Sequence, residues 1–224
     1  MPAPRPCIIK SMKSTKNIVI FGSAGRVGSL VTEYALADGH TVTAFVHRHH
    51  NLPEHQNLTL VQGDIYTSAD VEKALKGTDV VLSILSSWGT PKKDVLSAAM
   101  ANIIPAMKAQ KISRIISLTG AEARAAGDAL SIIHRLAHIG IGIGIGIVGG
   151  KVLRDGEKHI ELLASSGLDW TVVRSPIMRS GTSQKYRLNK HRPLPWALIN
   201  REAVARAIAD QIADKHDNGA LFIH

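Results

Sequence analysis

NIVIFGSAGRVGSLVTEYALADGHTVTAFVHR, from Asn17 to Arg48, decides the architecture of this chain. It reads as an apolar strand, a glycine turn, an amphipathic helix and a second apolar strand. The turn is G-x-x-G-x-x-G, with Gly22, Gly25 and Gly28. A helix N-terminus gathers unpaired backbone N–H groups at the positive end of a dipole and so attracts phosphate. Glycine lets the chain turn sharply and approach a pyrophosphate. Such a triplet is weak evidence alone, but here it stands between a strand and a helix, the context the motif needs. Val27, Leu30, Val31, Tyr34 and Ala35 recur at helical spacing and face a sheet. Gly39 suits the helix C-terminus, and Val42 to Val46 suit a strand buried on both faces.

Working outward, strands and helices go on alternating. Strands are expected at Leu58–Val61, Val80–Leu85, Ile112–Leu118 and Trp170–Val173, with Leu221–Ile223 as a last edge strand. Helices are expected at Ser68–Lys76, Lys93–Gln110 with Pro105 inside it, Arg154–Ser166 and Arg201–Ala213. This alternation predicts an α/β fold: a Rossmann-type, doubly wound, mostly parallel sheet in a single domain. Met1 to Lys16 reads as a flexible basic extension, with Pro2, Pro4 and Pro6 opposing regular structure. The domain proper is then 17–224, carrying a small substrate-side segment.

The 224 residues suffice for one core. A single cysteine, Cys7, excludes an intrachain disulfide framework and agrees with a cytoplasmic location. The net charge of +9 is compatible with nucleic acid, an anionic membrane or a phosphorylated ligand. The cations crowd the N-terminus (Arg5, Lys10, Lys13, Lys16) and a later segment (Lys185, Arg187, Lys190, Arg192) without one long run, and no stacking aromatics accompany them, so most read as solvated surface and a minority as serving phosphate binding. No nucleic-acid partner is expected. The segment IGIGIGIGIVGG, Ile139 to Gly150, is too short to span a bilayer, for which about 20 apolar residues are needed. It reads instead as an apolar flap beside a pocket, with no stable membrane insertion. The scattered histidines show no metal-ligand spacing.

Five motifs carry a resemblance to a known family: GSAGRVG (Gly22–Gly28), GDI (Gly63–Ile65), VVLSILSSWG (Val80–Gly89), RIISLTGA (Arg114–Ala121) and SGLDWTVVRSP (Ser166–Pro176). The chain resembles atypical short-chain dehydrogenases/reductases of the small NAD(P)H-binding type, including flavin reductase/biliverdin-IX-beta-reductase-like and NmrA-like proteins. The last motif is the most specific to them. The resemblance implies an NADP(H) site. Gly22, Ser23, Gly25, Arg26, Val27 and Gly28 would form its phosphate-binding turn. His47 and Arg48 follow the second strand, where the adenosine ribose docks. Neither Asp nor Glu occurs between Thr41 and Pro53, where NAD-specific sites place an acid, and a guanidinium suits a 2′-phosphate. Relatives usually carry arginine immediately after the strand, where this chain has His47. By the same resemblance Asp64 and Ile65 flank the adenine, though Asp64 could instead cap its own turn. Ser83, Leu85 and Ser86 line the ribose, and Pro176 and Ile177 approach the nicotinamide through their backbone.

Standard members of the wider family use Ser, Tyr and Lys. Here Tyr186-Arg-Leu-Asn-Lys190 matches the Tyr-x-x-x-Lys string, but it follows the sixth strand, the wrong element. No tyrosine occurs in Ala121 to Ala137. Ser117 and Thr119, at the fifth strand's end, are the candidate catalytic groups; they could hydrogen-bond a substrate or the carboxamide, or simply satisfy backbone groups. His134, His138 and His159 are proton donors by type and surface residues by habit. Two functions compete. One is an NADP(H)-dependent oxidoreductase passing hydride to a small planar acceptor such as a flavin or quinone, as a monomer or homodimer. The other is a non-catalytic NADP(H) sensor of the NmrA-like type.

Overall fold

The computed structural model describes residues 14–48, 51–128, 146–213 and 218–224. Strand β1 (Asn17–Phe21) is branched and aromatic in sequence, and every residue after Asn17 is buried, as a strand covered on both faces requires. It lies beside β2 (Thr41–Val46) on one flank and β4 (Val80–Ser83) on the other, parallel to both. β3 (Leu58–Gln62), β5 (Arg114–Gly120), β6 (Asp169–Ser175), β8 (Leu188–Asn189) and β10 (Gly219–Ile223) complete an eight-stranded sheet of order β3-β2-β1-β4-β5-β6-β10-β8. The order reverses between β1 and β4, and a crevice opens beyond the strand ends at such a point. Phe21, Ser83 and Ser117 stand level with one another on three adjacent strands there.

Helices cover both faces. α1 (Gly28–Ala37) and α5 (Arg201–Asp210) pack on one, burying Val31, Ala35, Val204 and Ile208. α2 (Ser68–Ala74), α3 (Val95–Ala109) and α4 (Gly146–Ala164) pack on the other, with Val71, Met100, Ile103, Ile160 and Leu163 in the core. Among the described residues no helix is long and apolar enough to cross a membrane.

Several sequence expectations shift. The fifth strand runs two residues further than Leu118, so Thr119 lies within it. The C-terminal strand is interior: β6 flanks it in parallel and β8 in antiparallel, so the edge is Leu188–Asn189. Periodicity missed both β8 and the small parallel pair β7 (Ile177–Arg179) with β9 (Leu198–Asn200), because two or three residues are too few to show alternation. The proposed flap falls largely on residues 139–145, outside the described residues; its remainder, Gly146 to Gly150, is helical. His134 and His138 also lie outside the described residues. Lys16, assigned to the extension, is already tied to the domain: its carbonyl accepts the Thr41 N–H at 3.0 Å.

Candidate functional site

The glycine turn is closed by its own backbone. Gly25 N–H donates to Gly22 O at 3.0 Å, and Gly22 adopts φ +85°. A Cβ on Gly22 would stand 2.5 Å from Ile84 O, and one on Gly28 only 2.0 Å from Gly22 O. Ser23 is fully buried and its hydroxyl donates to Phe45 O at 3.2 Å, fastening the turn to β2. No side chain caps α1 and no acid occupies its first turn, so no side chain of the helix itself neutralises its positive end.

That turn forms one wall of a cavity of about 640 Å³ at the carboxyl ends of β1, β4, β5 and β6. Gly25, Arg26 and Val27 line it from the turn, Leu85, Ser86, Ser87 and Trp88 from the loop after β4, and Thr119 to Ala123 from the end of β5. Gly149, Val152 and Leu153 of α4 face them, with Pro176, Ile177, Leu194, Pro195 and Arg201 closing the far side. Of the residues singled out in sequence, Gly25, Arg26, Val27, Leu85, Ser86, Thr119, Pro176 and Ile177 therefore meet on one cavity. Gly22, Ser23 and Gly28 support the turn behind it.

The others stand apart from this lining. His47 and Arg48 are exposed after β2, and the His47 carbonyl accepts Gln62 Nε2 at 3.2 Å. Asp64 accepts the Tyr66 N–H at 3.0 Å through Oδ1, the turn-capping role, while Ile65 is buried and its carbonyl accepts Asn102 Nδ2 at 2.8 Å. Ser83 and Ser117 are buried behind the cavity. Tyr186 donates to Asp210 Oδ2 at 2.7 Å, at the β8 side of the sheet, and does not line the cavity.

Helix α4 is what sequence reasoning read least well. Its N-terminal turns line the cavity, and its C-terminal half lies along β5. Gly156 rides over Thr119, where a Cβ would come within 2.8 Å of Thr119 Oγ1. One turn later His159, expected at the surface, is completely buried, with Nε2 2.7 Å from Ser117 Oγ. The Ser117 hydroxyl also donates to Ser83 O at 3.2 Å. Burial pushes the His159 imidazole down to about 4, against a small opposing pull from the Asp155 charge, so it is neutral near pH 7. Asp155 accepts the Leu96 and Ser97 N–H groups, each at 2.9 Å, and the Ser87 hydroxyl. It thereby caps α3 from another helix and ties the cavity loop to α4.

A second buried set braces the opposite rim. Arg174, in the SGLDWTVVRSP motif, is 2% exposed and pairs both terminal nitrogens of its guanidinium with Asp128, while the guanidinium carbon lies 3.6 Å from the Phe222 ring centroid. Arg192, from a basic cluster read from sequence as mostly solvated, donates to Asp128 Oδ2 at 2.8 Å and to the Ala121 carbonyl. Its guanidinium also faces Glu122 Oε2 at 3.8 Å. Burial alone would raise the Asp128 carboxyl; the hydrogen bonds from Arg174 and the Ala125 amide, with both guanidinium charges, carry it below the usual carboxylate range.

Residues 22–215 match a family model described as NAD(P)H-binding. A curated 2-alkyl-3-oxoalkanoate reductase of Shewanella oneidensis is 29% identical over 116 residues. That match covers 49% of this chain and 30% of the relative, so the chain spans less than a third of that protein's length. A short-chain dehydrogenase/reductase of Veillonella parvula DSM 2008, solved in complex with NADP, superposes with TM-score 0.74 at 18% identity, covering 94% of each chain. ChuY, an anaerobillin reductase of Escherichia coli O157:H7, superposes with TM-score 0.70 at 18% identity, covering 92% of this chain and 96% of that one. These likenesses at low identity establish the Rossmann-type fold.

Proposed function

The chain belongs to the NAD(P)H-binding family, and from that premise we propose that it is an NADP(H)-dependent oxidoreductase of short-chain dehydrogenase/reductase type, a reductase of a small planar acceptor such as a flavin or quinone. One observation carries this reading. The cavity joins the glycine turn to a largely apolar chamber, of Trp88, Val152, Leu153, Leu194 and Pro195, that a cofactor's nicotinamide end would only partly occupy. The residues fit the cofactor, since the tight glycines keep side chains off the α1 N-terminus. When bound, NADP(H) supplies the hydride. Thr119, whose side chain borders the cavity, hydrogen-bonds the carboxamide or the acceptor. Ser117, held by His159, positions the β5 end that carries Thr119. The apolar wall orients the acceptor face-on and excludes water from the transfer. A reduced flavin or quinone takes its proton from solvent. Neither tyrosine nor lysine lines the cavity among the described residues, which a non-catalytic sensor would also show. Steady NADPH oxidation with lumiflavin or menadione is expected; cofactor binding without turnover of any planar acceptor would favour the sensor.

The cofactor is NADP(H) rather than NAD(H), on the strength of exposed Arg26 and Arg48 with no acidic neighbour after β2. Titration of both reduced cofactors should show NADPH binding tighter, and Arg48→Glu should abolish the difference by replacing attraction with repulsion. Equal affinities in the unmodified protein would exclude this preference. Residues 17–224 act as one unit in this scheme.

A further inference from the structure

We infer that the mouth of the cavity docks on the surface of an anionic lipid bilayer, from which an apolar planar acceptor such as a quinone enters. The docking stands on the protein surface itself; only the acceptor's route rests on the reductase reading. Large apolar side chains are exposed together at this rim: Trp88 by 51%, Ile177 by 57%, Leu194 by 51%, Trp196 by 60% and Leu198 by 55%. Trp88, Ile177 and Leu194 line the cavity itself. Leu198 is paired with Ile177 in the parallel ribbon of β7 and β9, so the two side chains share its outer face, while Met178 and Ile199 turn into the core. Trp196 lies between Leu194 and Leu198, where the Ala197 N–H closes a turn on Leu194 O at 2.9 Å. An exposed apolar cluster of this kind marks a contact surface.

Cations fringe the cluster. On the outer face of the same ribbon, exposed Arg179 is next but one to Ile177. Lys92 follows Trp88 in its loop and Lys190 precedes Leu194, and both are exposed. Asp94, which follows Lys92 and Lys93, accepts the Tyr66 hydroxyl at 3.0 Å, and Glu122 of the cavity wall faces Arg192. Tryptophan and aliphatic side chains fringed by lysine and arginine suit a bilayer interface: the apolar groups enter the headgroup boundary and the cations meet lipid phosphates. The net charge of +9 acts in the same sense. A second copy of the chain fits this face worse. Two such rims face to face would oppose like charges and seal the cavity against its acceptor, whereas a bilayer both covers the mouth and supplies the acceptor.

Flotation of the full chain with vesicles tests the docking without turnover. Vesicles of phosphatidylcholine with an equal part of phosphatidylglycerol should bind it at least about tenfold more tightly than phosphatidylcholine alone, and added salt should weaken the binding. Replacing Trp196 and Leu198 together with serine, at positions outside the cavity lining, should weaken binding to the mixed vesicles at least about tenfold. Lys92→Glu combined with Lys190→Glu should weaken it by a similar factor through charge. Leu60→Ser is the control: this leucine is 45% exposed but lies on β3, the far edge of the sheet, and its loss should change binding by less than about twofold. An unchanged urea midpoint and NADPH affinity would show that the serine variant is folded. The inference is overturned if neither vesicle binds, if phosphatidylcholine alone binds as well as the mixture, or if the serine variant binds as well as the unmodified protein, which would mark adsorption by net charge. It is also overturned if light scattering shows a dimer that the serine variant dissolves, since the rim would then be a self-contact. Vesicle binding without NADPH oxidation by any planar acceptor would keep the docking and sink the reductase reading; oxidation with menadione but no vesicle binding would do the reverse.

Discussion

The glycine turn and the β5–β6 rim close the same cavity by opposite means. At the turn, backbone meets backbone: Gly22, Gly25 and Gly28 fold the chain on itself, and the missing side chains do the work. At the rim, charged side chains meet from far along the chain: Arg174 and Arg192 converge on Asp128 across separations of 46 and 64 residues. The first wall is a local device, closed by backbone within a few residues. The second must be stable unaided, because its charges are buried and satisfy one another. The comparison teaches where each wall is fragile: the turn to added bulk, the rim to a lost partner.

The rim should break hardest. Asp128→Ala leaves two buried guanidiniums facing each other, and loss of one partner of a buried ion pair costs about 3–5 kcal/mol. Urea unfolding of the variant should show that loss, and a change below 1 kcal/mol would mean the rim is far wetter than its burial implies. At the turn, Gly28→Ala forces a methyl against Gly22 O, and overpacking of this kind costs roughly 3 kcal/mol. NADPH affinity should fall by more than the stability does, and a variant with intact cofactor binding would contradict the geometry.

His159 behind β5 gives a smaller, graded effect. Its imidazole titrates near 6.5 when unfolded and at about 4 when folded. Stability is therefore full above about 6.5 and falls as pH drops towards 4, as the unfolded chain takes up a proton that the native one refuses. One such group contributes a slope of about 1.4 kcal/mol per pH unit. Replacing His159 with Gln should remove that share of the acid dependence, and unfolding curves from pH 7 to 4.5 would reveal an unchanged slope if the group were solvated. The smallest effect belongs to Tyr186, outside both walls. Tyr186→Phe loses one hydrogen bond to Asp210, worth about 1 kcal/mol, and should keep most reductase turnover; a hundredfold drop in kcat would mark it as a general acid after all.

The same contrast explains what could be read from sequence. The turn was legible because its signal is contiguous: strand, three glycines and helix within Asn17 to Arg48. The parallel sheet was legible from alternation, and with it the strands' carboxyl ends as the ligand side; the strand order was not. Arg174, Asp128 and Arg192 carry no local mark of their meeting, and each alone resembles a surface charge. His159 was readable in principle. Val152, Asp155, Gly156, His159, Ile160 and Leu163 are all buried at helical spacing, so the histidine falls on the inward stripe of its helix. The polar residues sharing that stripe hid it, since an amphipathic pattern is sought in apolar residues. Glu122 had no signal beyond its place after the fifth strand.

Asp155 has a consequence for the order of events in folding. Helix α3 takes its N-terminal cap from a residue 59 positions further on, across the whole of β5. A helix usually nucleates with its cap already in hand from the adjoining sequence. The first turn of α3 thus gains its cap, worth about 1 kcal/mol, only when α4 docks, so local coil-to-helix ordering and long-range closure reinforce one another. The Leu96 and Ser97 amides are then natural reporters: their hydrogen exchange registers whether a helix encoded dozens of residues away has arrived, and Ser87 on the cavity loop shares in the same event.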